Sequence, residues 1–263
     1  MILVTGANGF VGGKIMQMCK DVIACPSLRD ASEDDIRRIV QDSGADIIVH
    51  TAALSDIGAC QANPQASYRA NVEIPVWLAR AAKGAKLICF SSDQVYSGLE
   101  TDGPYTEEKV KGDNTYAEHK ILMEQRVLDV DPDAVMLRAE WMYDYYMKKP
   151  NYLMNMLRAE GTVAFSSRQF RGLTYVKNVA ENMEQVVRLP GGCYNFGSET
   201  TKSMHEITRE FLALIGKNIA VEEAPPRHNL WMDCEKARKF GVFFPTVEAG
   251  LRECAKDYHL LKE

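Results

Sequence analysis

The sequence has no apolar run approaching the ~20 residues that a membrane-spanning helix needs, which argues against a membrane protein. Its seven cysteines are scattered without a Cys-x-x-Cys pair and its five histidines do not cluster, so no metal site is predicted. A net charge of -5 and a pI near 5.7 argue against nucleic acid as a partner. The scattered cysteines are typical of free thiols in a reducing cytoplasm, and a strand predicted from Ile2 leads us to expect no leader peptide.

Alternating strand-like and helix-like segments fill the first half of the 263-residue chain. Strands are predicted at residues 2–4, 22–25, 45–50, 86–90 and 134–138. Helices are predicted at residues 12–20, 71–83 and 115–128, with a further one capped by Ser32 and ending near residue 43. This alternation predicts an α/β fold, a doubly wound parallel sheet (Rossmann) whose ligand lies across the carboxyl ends of the strands.

The pattern loosens after residue 140, where an aromatic segment at 141–150 is predicted to be a loop that lines a pocket. Helices are expected at 151–160, 205–215 and 247–258, and residues 173–189 and 193–196 are expected to return to the main sheet. We therefore divide the chain into a Rossmann domain at 1–145 plus 171–196 and a smaller C-terminal lobe at 146–170 plus 197–263. The first would bind cofactor and the second substrate.

Three glycines, Gly6, Gly9 and Gly12, follow the first strand directly. The first permits a tight turn, the second lets the backbone approach a phosphate, and the third lets the next helix pack close to the strand. A strand, a glycine turn and a helix in this order predict a dinucleotide site, with the pyrophosphate at the helix N-terminus.

Hydroxyl and amine groups suited to proton transfer follow in the sequence. Ser92 comes just after the strand at 86–90, where the ligand is expected, and could hold a carbonyl oxygen. Tyr116 and Lys120 lie four residues apart on a predicted helix and therefore share a face. A phenol normally has a pKa near 10, and a neighbouring ammonium group would lower it, which would make Tyr116 a useful proton donor.

A second Tyr-x-x-x-Lys pattern, Tyr145 and Lys149, shows that this spacing alone is not specific. It lies beside Pro150 in the predicted loop, and no strand-end serine precedes it at the right distance. We therefore favour Tyr116 and Lys120.

Taken together, these motifs resemble those of the extended short-chain dehydrogenase/reductase family. The residues that carry the resemblance are Thr5-Gly-x-x-Gly-x-x-Gly12, His50-Thr-Ala-Ala53, Asn71, Ser91-Ser-Asp93 and Tyr116-x-x-x-Lys120. Within the family the chain is most similar to the dTDP-4-dehydrorhamnose reductase branch, through Leu137-Arg-Ala-Glu-Trp-Met-Tyr143 and Arg168-Gln-Phe-Arg-Gly-Leu-Thr174.

The resemblance implies a role for each matching position. The pyrophosphate would be held by Gly6, Asn8, Gly9, Phe10, Val11 and Gly12. The adenine would meet Asp30 and Ala31, and the ribose and phosphates would meet Ala52, Ala53 and Leu54. Asn71 would support the site, Ser92, Tyr116 and Lys120 would be catalytic, and the last two would also contact the nicotinamide ribose. The substrate would meet Asp93, Val95, Trp141, Arg168 and Arg227. A homodimer through the helices at 71–83 and 115–128 is also implied.

Several residues predicted to line the pocket have a second, purely structural interpretation. The aromatic side chains of Trp141, Tyr143, Tyr145 and Tyr146 could stack on a base or sugar, or simply pack between the lobes. Guanidinium groups match phosphate geometry. Arg168, Arg171 and Arg227 could therefore bind a substrate diphosphate, or each could be a surface ion-pair residue.

The end of the second strand bears on the choice of cofactor. An acidic residue at this point usually binds the ribose hydroxyls of NAD, but here the sequence is Cys25-Pro-Ser-Leu-Arg29, with no carboxylate before Asp30. Because Ser27 and Arg29 would accommodate a 2'-phosphate, NADP(H) is favoured over NAD(H). The alternative is that Arg29 is an ordinary solvated charge.

The leading functional prediction is NADPH-dependent reduction of a keto group on a nucleotide-linked deoxysugar. Dehydration is disfavoured because Gln94 follows Asp93 where a second carboxylate would be needed. Two alternatives remain open. One is a sugar-nucleotide 4-epimerase that retains NAD, and the other is a non-catalytic NADP-binding subunit, as in the regulatory subunit of methionine adenosyltransferase.

Overall fold

The computed structural model describes residues 1–146, 150–225 and 229–262. Its strands are β1 (Ile2–Thr5), β2 (Val22–Ala24), β3 (Ile47–His50), β4 (Lys86–Ser92), β5 (Val135–Ala139), β6 (Trp141–Tyr143), β7 (Thr162–Phe165), β8 (Leu173–Tyr175), β9 (Gly192–Phe196) and β10 (Ala220–Glu223). Six of them form one parallel sheet in the order β2-β1-β3-β4-β5-β9. Because β2 and β3 pair with opposite sides of β1, the strand order reverses there. Such a reversal leaves a crevice at the carboxyl ends of the strands.

The helices connect the strands and cover both faces of the sheet. They are α1 (Phe10–Met18), α2 (Glu33–Ser43), α3 (Ile57–Ala62), α4 (Pro64–Tyr68), α5 (Ile74–Ala82), α6 (Thr115–Val130), α7 (Tyr152–Arg158), α8 (Val176–Glu181), α9 (Met183–Val186), α10 (Met204–Leu214), α11 (Glu235–Arg238) and α12 (Val247–Asp257). A π-helical turn, Arg69–Glu73, leads into α5, and Pro75 is tolerated because it lies in the first turn of that helix. No helix within the described ranges is long and apolar enough to cross a membrane.

Helix boundaries follow local capping. Ser32 caps α2 by accepting a hydrogen bond from the Asp35 amide, and Asp35 bonds back to Ser32 in a capping box. Ser203 and Glu206 form the same motif at α10. Both caps lie next to helices predicted from the sequence, so local chemistry defines these starts.

Apolar side chains on the two faces of the sheet form two separate core layers. Leu3 and Ile48 face the layer under α2, α5 and α6, whereas Val4 and Val49 face the layer under α1 and α8. Successive strand residues point to opposite faces, so strands buried on both sides are apolar throughout. The sheet is thus a rigid base for the residues at its carboxyl edge.

The smaller lobe has its own core, which includes Tyr152 and Phe211 and also takes in Tyr143 and Tyr175 from the range predicted for the Rossmann domain. Two parallel strand pairs lie outside the main sheet, β6 with β8 and β7 with β10. Two expectations are corrected here. Trp141–Tyr143, expected within a loop, forms β6, and Leu173–Tyr175, expected in the main sheet, pairs with β6 because β9 takes the position beside β5.

Three side chains connect the first helix to this lobe. The Lys14 Nζ atom lies 2.7 Å from Asp144 Oδ2, and the Tyr258 hydroxyl donates to Asp144 Oδ1 at 2.6 Å. Asp144 itself is buried. The helix that follows the glycine turn is therefore fixed to the segment after β6 and to the end of α12.

Candidate active site

A cleft of about 1400 Å³ lies between the carboxyl edge of the main sheet and the smaller lobe. Its walls include the glycine turn, the segment after β3, the end of β4, the first turns of α6 and the segment after β5, as well as lobe residues. The glycine turn and the Ser92–Tyr116–Lys120 group, 80 residues or more apart in sequence, therefore open into one cleft.

The glycine turn is shaped for close approach of a ligand. Gly6 has a φ of 67°, and a Cβ atom on it would lie 2.9 Å from the Ala52 backbone nitrogen. The Gly9 amide donates to the Gly6 carbonyl at 2.7 Å. Gly9 is also the N-cap of α1, without a side-chain cap and with no acidic residue in the first turn. Amide groups at such a helix start favour an anion, so these residues fit a dinucleotide pyrophosphate.

The remaining predicted pyrophosphate and ribose residues divide into two groups. Phe10, Val11, Ala52 and Ala53 line the cleft, in addition to Gly6 and Gly9. Asn8 is exposed on the turn, Gly12 is buried behind it, and Leu54 is half-buried. These three lie outside the lining of the cleft.

Asn71 supports the segment after β3 from beneath. Its Nδ2 atom donates to the Leu54 carbonyl at 2.9 Å and to the Ser67 hydroxyl at 3.2 Å. The side chain is fully buried, and its Oδ1 atom has no hydrogen-bond partner among the described residues. These contacts hold the segment after β3, and the role of Asn71 in the active site stays a prediction.

The predicted adenosine end lies on the loop after β2. Arg29 and Asp30 are exposed, Ala31 is half-buried, and none of the three lines the cleft. The Arg69 guanidinium donates to the carbonyls of Arg29, at 3.2 Å, and Ala31, at 2.7 Å. Sequence reasoning missed Arg69, because no local motif links it to a loop 38 residues earlier.

Ser92, Tyr116 and Lys120 come together at the base of the cleft, with exposed fractions of 7%, 7% and 1%. Ser92 ends β4, and Tyr116 lies in the first turn of α6, which Asn114 caps through the Ala117 amide. The Lys120 Nζ atom donates to the Phe90 carbonyl at 2.8 Å and lies 5.8 Å from the centroid of the Tyr116 ring. Tyr116 is hydrogen-bonded to the Ser92 side chain.

Burial is the largest influence on the pKa values of Lys120 and Tyr116. It lowers the pKa of Lys120 from 10.5 to about 8. It raises the pKa of Tyr116 above its ordinary value, an effect that the Ser92 hydrogen bond opposes and the Asp93 carboxylate reinforces. The expected lowering of the Tyr116 pKa by Lys120 is therefore not found, because burial, which disfavours a phenolate, is the largest influence on that pKa. Tyr116 keeps its proton at neutral pH, as a proton donor must.

One wall of the cleft contains an ion pair between half-buried Arg171 and buried Asp93. Arg171 Nη2 donates to Asp93 Oδ2 at 2.6 Å, and the Arg171 guanidinium lies 5.1 Å from the centroid of the Trp141 ring. All three line the cleft. Ser92 also donates to Asp93, at 3.1 Å, so this wall adjoins the Ser92 hydroxyl.

Other predicted substrate residues lie elsewhere. Arg168 is exposed and does not line the cleft, whereas Arg171 does. The Val95 side chain is fully buried against Tyr96 and Leu230 in a separate apolar cluster, so we no longer place it in the substrate site. Arg227 lies outside the described residues.

The aromatic residues after β5 have different environments. Tyr143 is buried and stacks on Tyr175 in the lobe core, and Tyr145 stacks on Tyr258. Tyr146 lines the cleft and packs 5.2 Å from Phe10. Of the second Tyr-x-x-x-Lys pattern, Lys149 lies outside the described residues.

Sequence reasoning also missed Glu140, which lines the cleft directly after β5. The residue lies within the 137–143 motif that supported the family resemblance, and a polar residue at the end of a buried strand is a signal that could have identified it. Its side chain accepts a hydrogen bond from Thr174 at 3.0 Å. Burial, together with the nearby Asp93 carboxylate, raises the pKa of Glu140 well above its usual range.

Comparison with known proteins places this site in a family. The family model described as the RmlD substrate binding domain matches residues 1–259. The chain belongs to this family. Among the residues that the structure describes, no three His, Cys, Asp or Glu side chains lie together where they could hold a metal ion.

Individual relatives agree with that assignment. The chain is 24% identical to a probable low-salt glycan biosynthesis reductase of Haloferax volcanii, over 94% of this chain and 91% of the relative. It is 30% identical to a dTDP-4-dehydrorhamnose reductase of Burkholderia thailandensis, over 68% of this chain and 63% of the relative. The crystal structure of a dTDP-4-dehydrorhamnose reductase from Bacillus anthracis in complex with NADP superimposes with a TM-score of 0.87 at 20% identity, covering 97% of both chains. This last likeness confirms the Rossmann-type fold.

Proposed function

We propose that this RmlD-family chain is an NADPH-dependent reductase that acts on a keto group of a nucleotide-linked deoxysugar, as a dTDP-4-dehydrorhamnose reductase does. The observation that carries the proposal is the convergence of Ser92, Tyr116 and Lys120 on a cleft that also contains the glycine turn. The reductase names of the relatives support the same reaction class.

Each residue of the group has a distinct task in the proposed reaction. When bound, NADPH supplies the hydride. The Ser92 hydroxyl orients the keto oxygen, and Tyr116, which is protonated at neutral pH, donates the proton that completes the alcohol. Lys120 is fixed by the Phe90 carbonyl and would contact the nicotinamide ribose, so it orients cofactor and tyrosine relative to each other.

The preference for NADP over NAD is part of the proposal. The loop after β2 carries Ser27 and Arg29 and has no carboxylate before Asp30. Arg69 holds the backbone of this loop through two carbonyls, leaving the Arg29 side chain exposed. An exposed guanidinium on a fixed loop is suited to a 2'-phosphate.

We further propose the two-lobe division given above, a homodimer through the helices of residues 71–83 and 115–128, and a cytoplasmic location. All seven cysteines are free, which suits a reducing compartment. Light scattering on the purified protein tests the dimer, since it predicts a mass twice that of the 29.5-kDa chain.

The reductase proposal is tested by Tyr116→Phe, which removes only the phenol oxygen. NADPH oxidation with dTDP-4-dehydrorhamnose should fall roughly 10²–10⁴-fold, whereas NADPH binding measured by fluorescence should persist. Tyr145→Phe is the matched control, because Tyr145 lies in the second Tyr-x-x-x-Lys pattern and stacks on Tyr258 instead of joining the catalytic group.

Three other outcomes would contradict the reductase proposal or favour another function. Near-normal turnover by Tyr116→Phe would reject the assignment. Copurified NAD without net NADPH consumption by the wild-type protein would favour an epimerase. A stoichiometric protein partner without turnover of any sugar nucleotide would favour a regulatory subunit.

A further inference from the structure

We propose that Glu140 is a specificity-determining residue that binds the sugar of the substrate, donating a hydrogen bond to a sugar oxygen through an un-ionised carboxyl group. The inference rests on the proposed function in that it takes the ligand to be a sugar nucleotide. It adds a contact that none of the catalytic residues supplies.

Strand register places Glu140 beside the reacting carbon. Ser92, the last residue of β4, pairs with Ala139, the last residue of β5, and Glu140 follows directly. Neighbouring strands lie ~4.8 Å apart. A ketone held by Ser92 and Tyr116 therefore brings its own sugar ring, and not the distant nucleotide, next to Glu140.

The surroundings of Glu140 show a place built for this carboxyl group. Its carboxyl lies against Gly172 and Gly197, where a Cβ atom on either glycine would overlap it. Thr174 donates to its Oε2 atom at 3.0 Å, and the side chain still lines the cleft at 6% exposure. Two glycines and one hydroxyl thus fix the carboxyl at the cleft wall.

The charges around Glu140 favour its un-ionised form. Asp93 and Glu140 face the same wall, and among the described residues the guanidinium that pairs there, that of Arg171, has its Nη2 atom on Asp93. An uncompensated second carboxylate in this buried wall would be costly. Burial and Asp93 raise the pKa of Glu140 and outweigh the Thr174 hydrogen bond, the Arg171 charge and a backbone hydrogen bond from Ser198, which lower it. A protonated carboxyl can both donate to one sugar oxygen and accept from a hydroxyl.

The test uses two variants of nearly equal size. Glu140→Gln keeps an uncharged donor and acceptor, whereas Glu140→Met keeps the volume and loses both. Calorimetry on the NADP-saturated protein should show dTDP-rhamnose binding at least tenfold more weakly to the Met variant, a loss of about 1.4 kcal/mol. The Gln variant should stay within about threefold of wild type. Binding of dTDP, which lacks the sugar, should change less than twofold in both.

Three results would overturn the inference. The Met variant could bind dTDP-rhamnose as tightly as wild type, the Gln variant could be as impaired as the Met variant, or the affinities for dTDP, NADP and dTDP-rhamnose could all fall together with thermal stability. The last pattern would mark a structural role. Binding can be measured without turnover. A wild-type protein that binds dTDP-rhamnose but does not reduce dTDP-4-dehydrorhamnose would therefore refute the proposed function, while the binding of dTDP-rhamnose to the two Glu140 variants would still test the role of Glu140. A wild-type protein that does not bind the sugar nucleotide refutes both.

Discussion

Replacing Lys120, the buried lysine of the proposed catalytic group, should stabilise the cofactor-free protein while it abolishes the proposed reduction. Lys120 is 1% exposed, and burial lowers its pKa from 10.5 to about 8. The ammonium form, which predominates at pH 7, is therefore disfavoured in the folded state relative to the unfolded chain. At ~1.4 kcal/mol for each tenfold change, the difference corresponds to about 3 kcal/mol. Lys120→Met removes that cost, keeps most of the volume and should raise stability by up to this amount.

The pH dependence follows from the direction of the shift. A lysine whose pKa is lowered on folding makes the wild-type protein gain stability as pH rises from about 8 towards 10.5. The advantage of Lys120→Met should therefore shrink from about 3 kcal/mol at pH 7 to about 2 kcal/mol at pH 9. Urea denaturation at both pH values measures the difference, with Lys109→Met, an exposed lysine, as the charge-matched control.

Either of two results would refute this reasoning. If Lys120→Met were less stable than wild type at pH 7, the Phe90 hydrogen bond would outweigh the cost of burying the charge. If its advantage stayed the same at pH 9, the lysine would not titrate as described. Loss of NADPH oxidation alone would support the active-site assignment without testing the energetics.

Two further predictions concern buried groups near the site. Burial lowers the pKa of His50 from 6.5 to about 3, so the stability it contributes is present above pH 6.5 and lost as pH falls. Between pH 7 and pH 5 that loss should be about 2 kcal/mol. His50→Asn should abolish this pH-dependent loss of stability, whereas His259→Asn, at an exposed position, should retain it. Equal losses in both variants would contradict the prediction. Arg138 is ion-paired with Glu124 at 2.7 Å, and both side chains are 4% exposed. Arg138→Met should lower the free energy of unfolding, measured by urea denaturation, by ~3–5 kcal/mol because it leaves the buried Glu124 carboxylate without a partner. A decrease of less than about 1 kcal/mol would contradict this prediction.

Most of the main sheet could be predicted from local pattern. Runs such as Ile47–His50 are apolar because both faces of the sheet are covered, and the caps at Ser32 and Ser203 mark helix starts within the sequence itself. The glycine turn and the Tyr116–Lys120 spacing are similarly local. These features depend on residues a few positions apart.

What the sequence could not predict depends on contacts between distant segments. The β6–β8 pair joins residues 32 positions apart, and Arg69 acts on a loop well before it in the chain. Arg168 and Arg171 illustrate the same limit, because the sequence gives both the same two interpretations and only the structure shows that the Arg171 guanidinium reaches Asp93. Likewise, the direction of the Tyr116 pKa depends on burial, which the spacing of Tyr and Lys does not reveal.

The pairing of Ser92 with Ala139 at the ends of two neighbouring strands has a consequence for how such enzymes diversify. In the proposed reaction, one strand end delivers the hydroxyl that orients the keto oxygen, and the next begins the segment that leads into the smaller lobe. Under that proposal, residues after the second strand can be exchanged, and the accepted sugars changed, without altering the groups that transfer the proton.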